Sequence, residues 1–183
     1  MIDELEESGR RLIHRRTVEC QGFLRADGLW DIEGRLNDRK THPVTLAEGG
    51  TVATGQTYHG MWIRLTLDDD FIVQDVQVLM PDVPTSQCRG AMPAYQKLVG
   101  ERIGSGFTRR IKELFGGIGG CVHLTELLLP IATTAFQTIP MARSLVAPRT
   151  PADAEAFDNA KSALLNTCHA LREDSPVVVF LKN

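Results

Sequence analysis

The sequence predicts an α+β domain: an antiparallel meander of three to four strands with helices packed on one face. Three observations carry this. Apolar and polar residues alternate over 16–80, the spacing turns helical after Pro81 and Pro84, and all the clear strand patterns precede the helical ones.

The first strand has Val18, Cys20, Gly22 and Leu24 alternating with Thr17, Glu19, Gln21 and Phe23. Asp27-Gly28 then marks a tight turn, since glycine accepts the positive φ that such hairpins need. The return strand sets Trp30, Ile32, Gly34 and Leu36 on one face against Asp31, Glu33 and Arg35 on the other. That alternation means one packed face and one wet one. Residues 37–57 read as a long polar loop with a short edge strand at 44–46. A third strand, 58–68, places His59, Met61, Ile63, Leu65 and Leu67 together, and Asp68-Asp69-Asp70 turns it into a fourth at 71–80. Helical spacing follows at 91–103 (Tyr95, Leu98, Val99, Ile103) and at 108–115 (Ile111, Leu114, Phe115), the latter with Thr108 as N-cap. The loop Gly116-Gly117-Ile118-Gly119-Gly120 opens into a helix over 121–138, kinked at Pro130. An extended connector is expected over 139–150. Thr150, Pro151 and Asp153 then start a last helix with the stripe Ala154, Phe157, Leu164, Leu165, Cys168 and Leu171, before an edge strand at 177–181.

With 183 residues, 43% hydrophobic and 23% charged, the chain suits a single globular domain spanning 1–183. A chain of this length buries roughly 70% of its unfolded surface, so it needs neither disulfide nor metal to fold. Twenty Lys+Arg against 23 Asp+Glu leave a net charge of −3, with no overall basic field to attract nucleic acid. The strongly apolar stretch 127–135 is interrupted by Pro130 and falls short of the ~20 residues of a membrane span. The opening residues, MIDELEESGRRLIHRR, lack the apolar core of a signal peptide, so a cytoplasmic location with free thiols is expected. The expected partner is a small molecule or another protein, not nucleic acid or membrane.

Chemistry concentrates at Cys121-Val122-His123, where the glycine loop meets a helix start. Free N–H groups and the positive dipole end there favour thiolate, the form needed for attack and for metal binding. Cys88 has a similar setting after a Pro-rich turn. With Cys121, His123 and Cys88 as ligands, and His59 or the Asp38/His42 loop as a fourth, the S and N donors suit zinc or iron. A rival reading makes Cys121 a nucleophile and His123 or Glu126 its base, acting without cofactor on a small organic or acyl substrate, with Arg64 or Arg109 holding an anionic group. A third makes the glycine loop and kinked helix a non-catalytic protein-interaction surface. Cys20 and Cys168, on apolar stripes, are assigned to the core. His14, His42 and His169 are assigned to the surface, and Arg109-Arg110 to a solvated helix face. No GxGxxG, GxxxxGK[ST] or HExxH motif is present.

Three motifs together resemble the bacterial domain-of-unknown-function 2889 family over nearly the whole chain. They are CQGFLRADGLWDIEG at 20–34, HGMWIRLTLD at 59–68, and Leu98-Val99-Gly100 followed by Gly116-Gly117 and GCVHLTEL at 120–127. That resemblance implies no assigned activity. The architecture, a meander and then cysteines at two helix starts with one beside a histidine, is similar to iron–sulfur scaffold proteins of the NifU/SufU type. That likeness implies zinc or a nascent cluster held at helix starts. The early Cys-Gly-Asp loop of those proteins is missing here, leaving Asp38, His42 or His59 to replace it.

Overall fold

A computed structural model of the chain describes residues 9–146, 165–166, 168–176 and 178. The chain divides into two compact units, Met1–Ala135 and Phe136–Asn183. In the first, strands β1 (His14–Leu24), β2 (Trp30–Lys40), β5 (Thr57–Leu67) and β6 (Val73–Asp82) form an antiparallel sheet in the order β1-β2-β5-β6. A small hairpin, β3 (Val44–Thr45) with β4 (Thr51–Val52), interrupts the β2–β5 connection. The α+β meander expected from the alternation is the fold observed.

Register follows from the turns. Gly28 takes φ +85°, and the Asp27 carboxylate accepts the N–H of Leu29, closing the β1–β2 hairpin. At the same end of the sheet, the Asp68 carboxylate accepts N–H bonds from Asp70 and Ile72, holding the turn that leads to β6. Running away from these turns, Trp30, Ile32, Gly34, Leu36 and Asp38 of β2 lie opposite Leu67, Leu65, Ile63, Met61 and His59 of β5. The apolar members of both sets are buried. β2 therefore runs four residues beyond the Leu36 limit read from its apolar alternation, and the same period carries Asp38 onto the packed face.

Helix α2 (Val122–Val146) lies over this face. A Cβ on Gly34 would stand 2.7 Å from Cδ1 and 2.8 Å from Cγ1 of Ile131, so the helix packs directly against bare strand backbone. Leu124, Leu127, Leu128 and Ile131 are fully buried, each worth about 1.5–3 kcal/mol of transfer free energy. Helix α1 (Phe107–Phe115) buries Phe107, Ile111 and Phe115. Tyr95 stacks on Phe115 with ring centroids 4.5 Å apart. Its hydroxyl accepts the Cys121 N–H at 3.0 Å and lies 2.8 Å from both the Cys121 carbonyl and Thr125 Oγ1, pinning the start of α2.

Several elements differ from expectation. The helix predicted over 91–103 is a run of 3-10 turns at Ser86–Leu98, because Pro93 within it supplies no N–H to a regular α-ladder. Tyr95 and Leu98 are still buried, whereas Val99 is exposed, and Ile103 lies beyond the helix with its N–H on the Phe71 carbonyl. Helix α1 is preceded by Gly106 at φ +86°, not capped by Thr108. The extended connector over 139–150 is helical as far as Val146, since Met141 and Ala142 beyond Pro140 are good helix formers. Residues 150–164 of the expected last helix lie outside the described residues. Cys168 is exposed beside a 3-10 turn at His169–Leu171 instead of on a buried stripe. Cys20 is half-buried on the edge strand β1, with its thiol against Thr134 of α2. Of the expected strand at 177–181 only Val178 is described, and it is helical.

The Gly34 approach gives a direct test. Gly34→Ala should cost about 1–3 kcal/mol through overpacking. Adding Ile131→Ala should cost less in the Gly34→Ala background than in the native chain. Urea unfolding midpoints of the two single variants and the double variant measure that coupling.

Candidate metal centre

The packed face of the sheet ends in a polar cluster. Asp38 closes the apolar row of β2 and is only 1% exposed. An uncompensated carboxylate there would be strongly destabilising. Four side chains surround it. Arg16, opposite Asp38 on β1, donates from Nε to Oδ1 and from Nη2 to Oδ2, both at 2.8 Å. His59, opposite on β5, places Nδ1 3.0 Å from Oδ2. His14 Nε2 lies 3.1 Å from Oδ1. His123, in the first turn of α2, brings Nε2 to 3.8 Å from Oδ2. The His59 and His123 rings have centroids 4.0 Å apart.

Charge states follow from these contacts. Burial alone would raise the Asp38 pKa, but the Arg16 fork and His59 outweigh it and hold the carboxyl at about 2. Burial is the largest effect on both His59 and His123 and lowers each. For His59 the hydrogen bond to Asp38 opposes it only in part, while His123 is lowered further by His59 and Arg16. At neutral pH the cluster is thus an ionised carboxylate with two neutral imidazoles, the protonation states a divalent metal requires.

Among the described residues, one group of three side chains, Asp38, His59 and His123, has ligand atoms all within 4.8 Å of one another. Donors bound to one ion at 2.0–2.2 Å stand about 2.8–3.6 Å apart, from right-angle to tetrahedral geometry. The His59–Asp38 separation of 3.0 Å falls in that window, and the His123–Asp38 contact at 3.8 Å must shorten to enter it. The hydrogen bond to ionised Asp38 places the His59 proton on Nδ1; an ion bound beside Oδ2 would take the Nδ1 lone pair, with the proton moved to Nε2.

The residues singled out from sequence are placed unevenly. His59 and His123 belong to the cluster. Cys121 stands beside it, with Sγ 3.9 Å from His123 Nδ1 and 4.0 Å from Met61 Sδ. Glu126 faces Arg16, accepting from Nη1 at 2.8 Å. Cys88 sits on the 3-10 run and is not among the clustered donors. His14, His42 and His169 are all exposed, as expected, and His14 also touches Asp38. Arg109 is exposed and pairs with Glu113; Arg64 pairs with Asp31 and Asp75, alternating residues of β2 and β6 off the packed row. Arg16 had no sequence signal beyond lying two residues before Val18 in the alternation, and that period was a sufficient one.

Residues 14–137 match the model of a family described as a protein of unknown function, DUF2889. The chain belongs to this family. The DUF2889 match covers His14, Arg16, Asp38, His59, Cys121, His123 and Glu126, so the whole cluster lies inside it. No curated protein and no solved structure matches the chain. Among the described residues of this DUF2889 chain, no helix is long and apolar enough to cross a membrane.

The Asp38 network should be visible in acid stability. A carboxyl held near 2, against 3.8 unperturbed, contributes stability that is full above pH 4 and is lost as pH falls toward 2. The loss is about 2 kcal/mol. The lowered imidazoles add a second loss that begins as pH drops below about 6.5. Urea titrations at stepped pH should show both, and Asp38→Asn should remove the lower one.

Proposed function

We propose that the protein is a cytosolic metal-binding domain that holds one zinc or ferrous ion on Asp38, His59 and His123. The observation that carries this is the convergence of one buried carboxylate and two neutral imidazoles from β2, β5 and the first turn of α2. Two imidazoles with one carboxylate leave coordination positions open, the arrangement of catalytic zinc and non-haem iron sites. Bound there, the ion would supply Lewis-acid polarisation or an activated water. Asp38 would orient His59, and Tyr95 would hold the α2 start that carries His123. The four free cysteines agree with a reducing compartment. A likeness to NifU/SufU-type scaffolds is supported by Cys121 standing next to His123 at a helix start, with Asp38 in place of their missing loop carboxylate.

Loading the purified chain with zinc, or with ferrous iron under anaerobic conditions, should give one bound equivalent. His59→Ala and His123→Ala should each weaken binding by about tenfold or more, while Cys88→Ser leaves it unchanged. Less than about a tenth of an equivalent retained by folded protein after loading would overturn the proposal.

A second reading rests on the approach of Cys121 Sγ to His123 Nδ1, with His123 Nε2 turned toward Asp38. This is the order of a thiol nucleophile, base and orienting carboxylate, acting on a small organic or acyl substrate. Alkylation of Cys121 by iodoacetamide should then slow at least several-fold in His123→Ala. An unchanged rate would sink it.

A further inference from the structure

The three proposed ligands share their carboxylate with a guanidinium. Arg16 occupies both oxygens of Asp38, and its third nitrogen is already bonded to Glu126, on the helix that carries His123. A metal ion on Oδ2 and the Arg16 Nη2 hydrogen bond compete for the same oxygen. Two cations bound to one buried carboxylate would also repel in a site that screens charge poorly.

We propose that Arg16 is the built-in counter-cation of the metal site, so that a divalent ion enters by exchange. The guanidinium leaves Asp38 and is retained by Glu126. This rests on the metal-binding reading above and adds to it how the site is regulated. Several features support it. Arg16 comes from the edge strand β1, its side chain is 35% exposed, and it therefore has room to swing toward solvent, unlike Asp38 at 1%. Glu126 is 54% exposed and lies one helical turn after His123, so it can follow the guanidinium without disturbing the buried face. His14 stays against Oδ1 of Asp38 when Arg16 departs, while His59 turns its Nδ1 to the ion. Without the ion, Arg16 keeps the buried carboxylate compensated. With the ion, the same carboxylate needs no second cation.

The test is zinc titration of the full chain, read by competition with a chromophoric chelator, together with thermal unfolding of the metal-free protein. Arg16→Met should bind zinc at least tenfold more tightly than the native chain and unfold at a lower temperature without metal. Arg16→Lys, which keeps the charge but not the fork, should fall between the two. Lys40→Met removes a neighbouring cation that does not touch Asp38, and should tighten binding far less than Arg16→Met. Glu126→Gln removes the position to which the guanidinium retreats and should weaken zinc binding in the native background but not in Arg16→Met. Equal or weaker binding by folded Arg16→Met and Arg16→Lys overturns the exchange, as does an effect of Glu126→Gln that persists without Arg16. If neither the native chain nor any folded variant takes up zinc or ferrous iron, the metal reading itself fails, and the exchange falls with it.

Discussion

The buried carboxylate of Asp38 is the constraint around which this end of the fold is arranged. A charge that is 1% exposed on the packed face of a sheet must be met from every side. β1 supplies Arg16 and His14, β5 supplies His59, and α2 brings His123. Three strands and a helix therefore converge on one side chain. Removing any partner leaves desolvation incompletely offset, which links the pairing of the edge strand to the seating of the helix. β1 has few apolar anchors of its own, since all its residues but Cys20 are exposed, and beyond its backbone pairing with β2 the Arg16 fork ties it to the sheet.

The distance from α2 to the sheet is set elsewhere, at Gly34. Because β2 presents no side chain at that point, Ile131 seats against backbone and the helix lies close. Tyr95 fixes the other end by engaging the Cys121 N–H and carbonyl. Between these two anchors the first turn of α2 has little freedom, and His123 is delivered to within 3.8 Å of Asp38. A larger residue at position 34 would lift the helix and open the cluster. Packing in the apolar layer thus determines geometry in the polar one.

Much of this was legible in the sequence. The period-two rows of β2 and β5, the Asp27-Gly28 and Asp68–Asp70 turns and the inward His59 are all local signals, and they describe the meander correctly. The stopping point of β2 was not, because the reading followed apolar residues and Leu36 is the last of them. Carrying the same alternation two residues further puts Asp38 on the packed face, and the equivalent step back along β1 puts Arg16 beside it. Cys88 shows the opposite failure. Its setting before a helical segment resembles that of Cys121, yet which element starts reach the polar end of the sheet is decided by tertiary packing. Pro93 altered the segment's type, and Pro140 did not end α2, which runs on through helix-forming Met141 and Ala142.

Charge balance shows why exchange suits this cluster better than simple addition. With both imidazoles neutral, Asp38, Glu126 and Arg16 sum to −1. A divalent ion raises that sum to +1, so neither state carries a large uncompensated charge. The distribution differs more than the total. Before the ion enters, positive charge at Asp38 comes from a guanidinium rooted on β1. Afterward it would come from the ion, and the guanidinium would sit on the more exposed Glu126. The same inventory satisfies the buried carboxylate in both states because Arg16 has a second acceptor within reach. A lysine at that position would make only a point contact and could not span Asp38 and Glu126 with three directed N–H bonds.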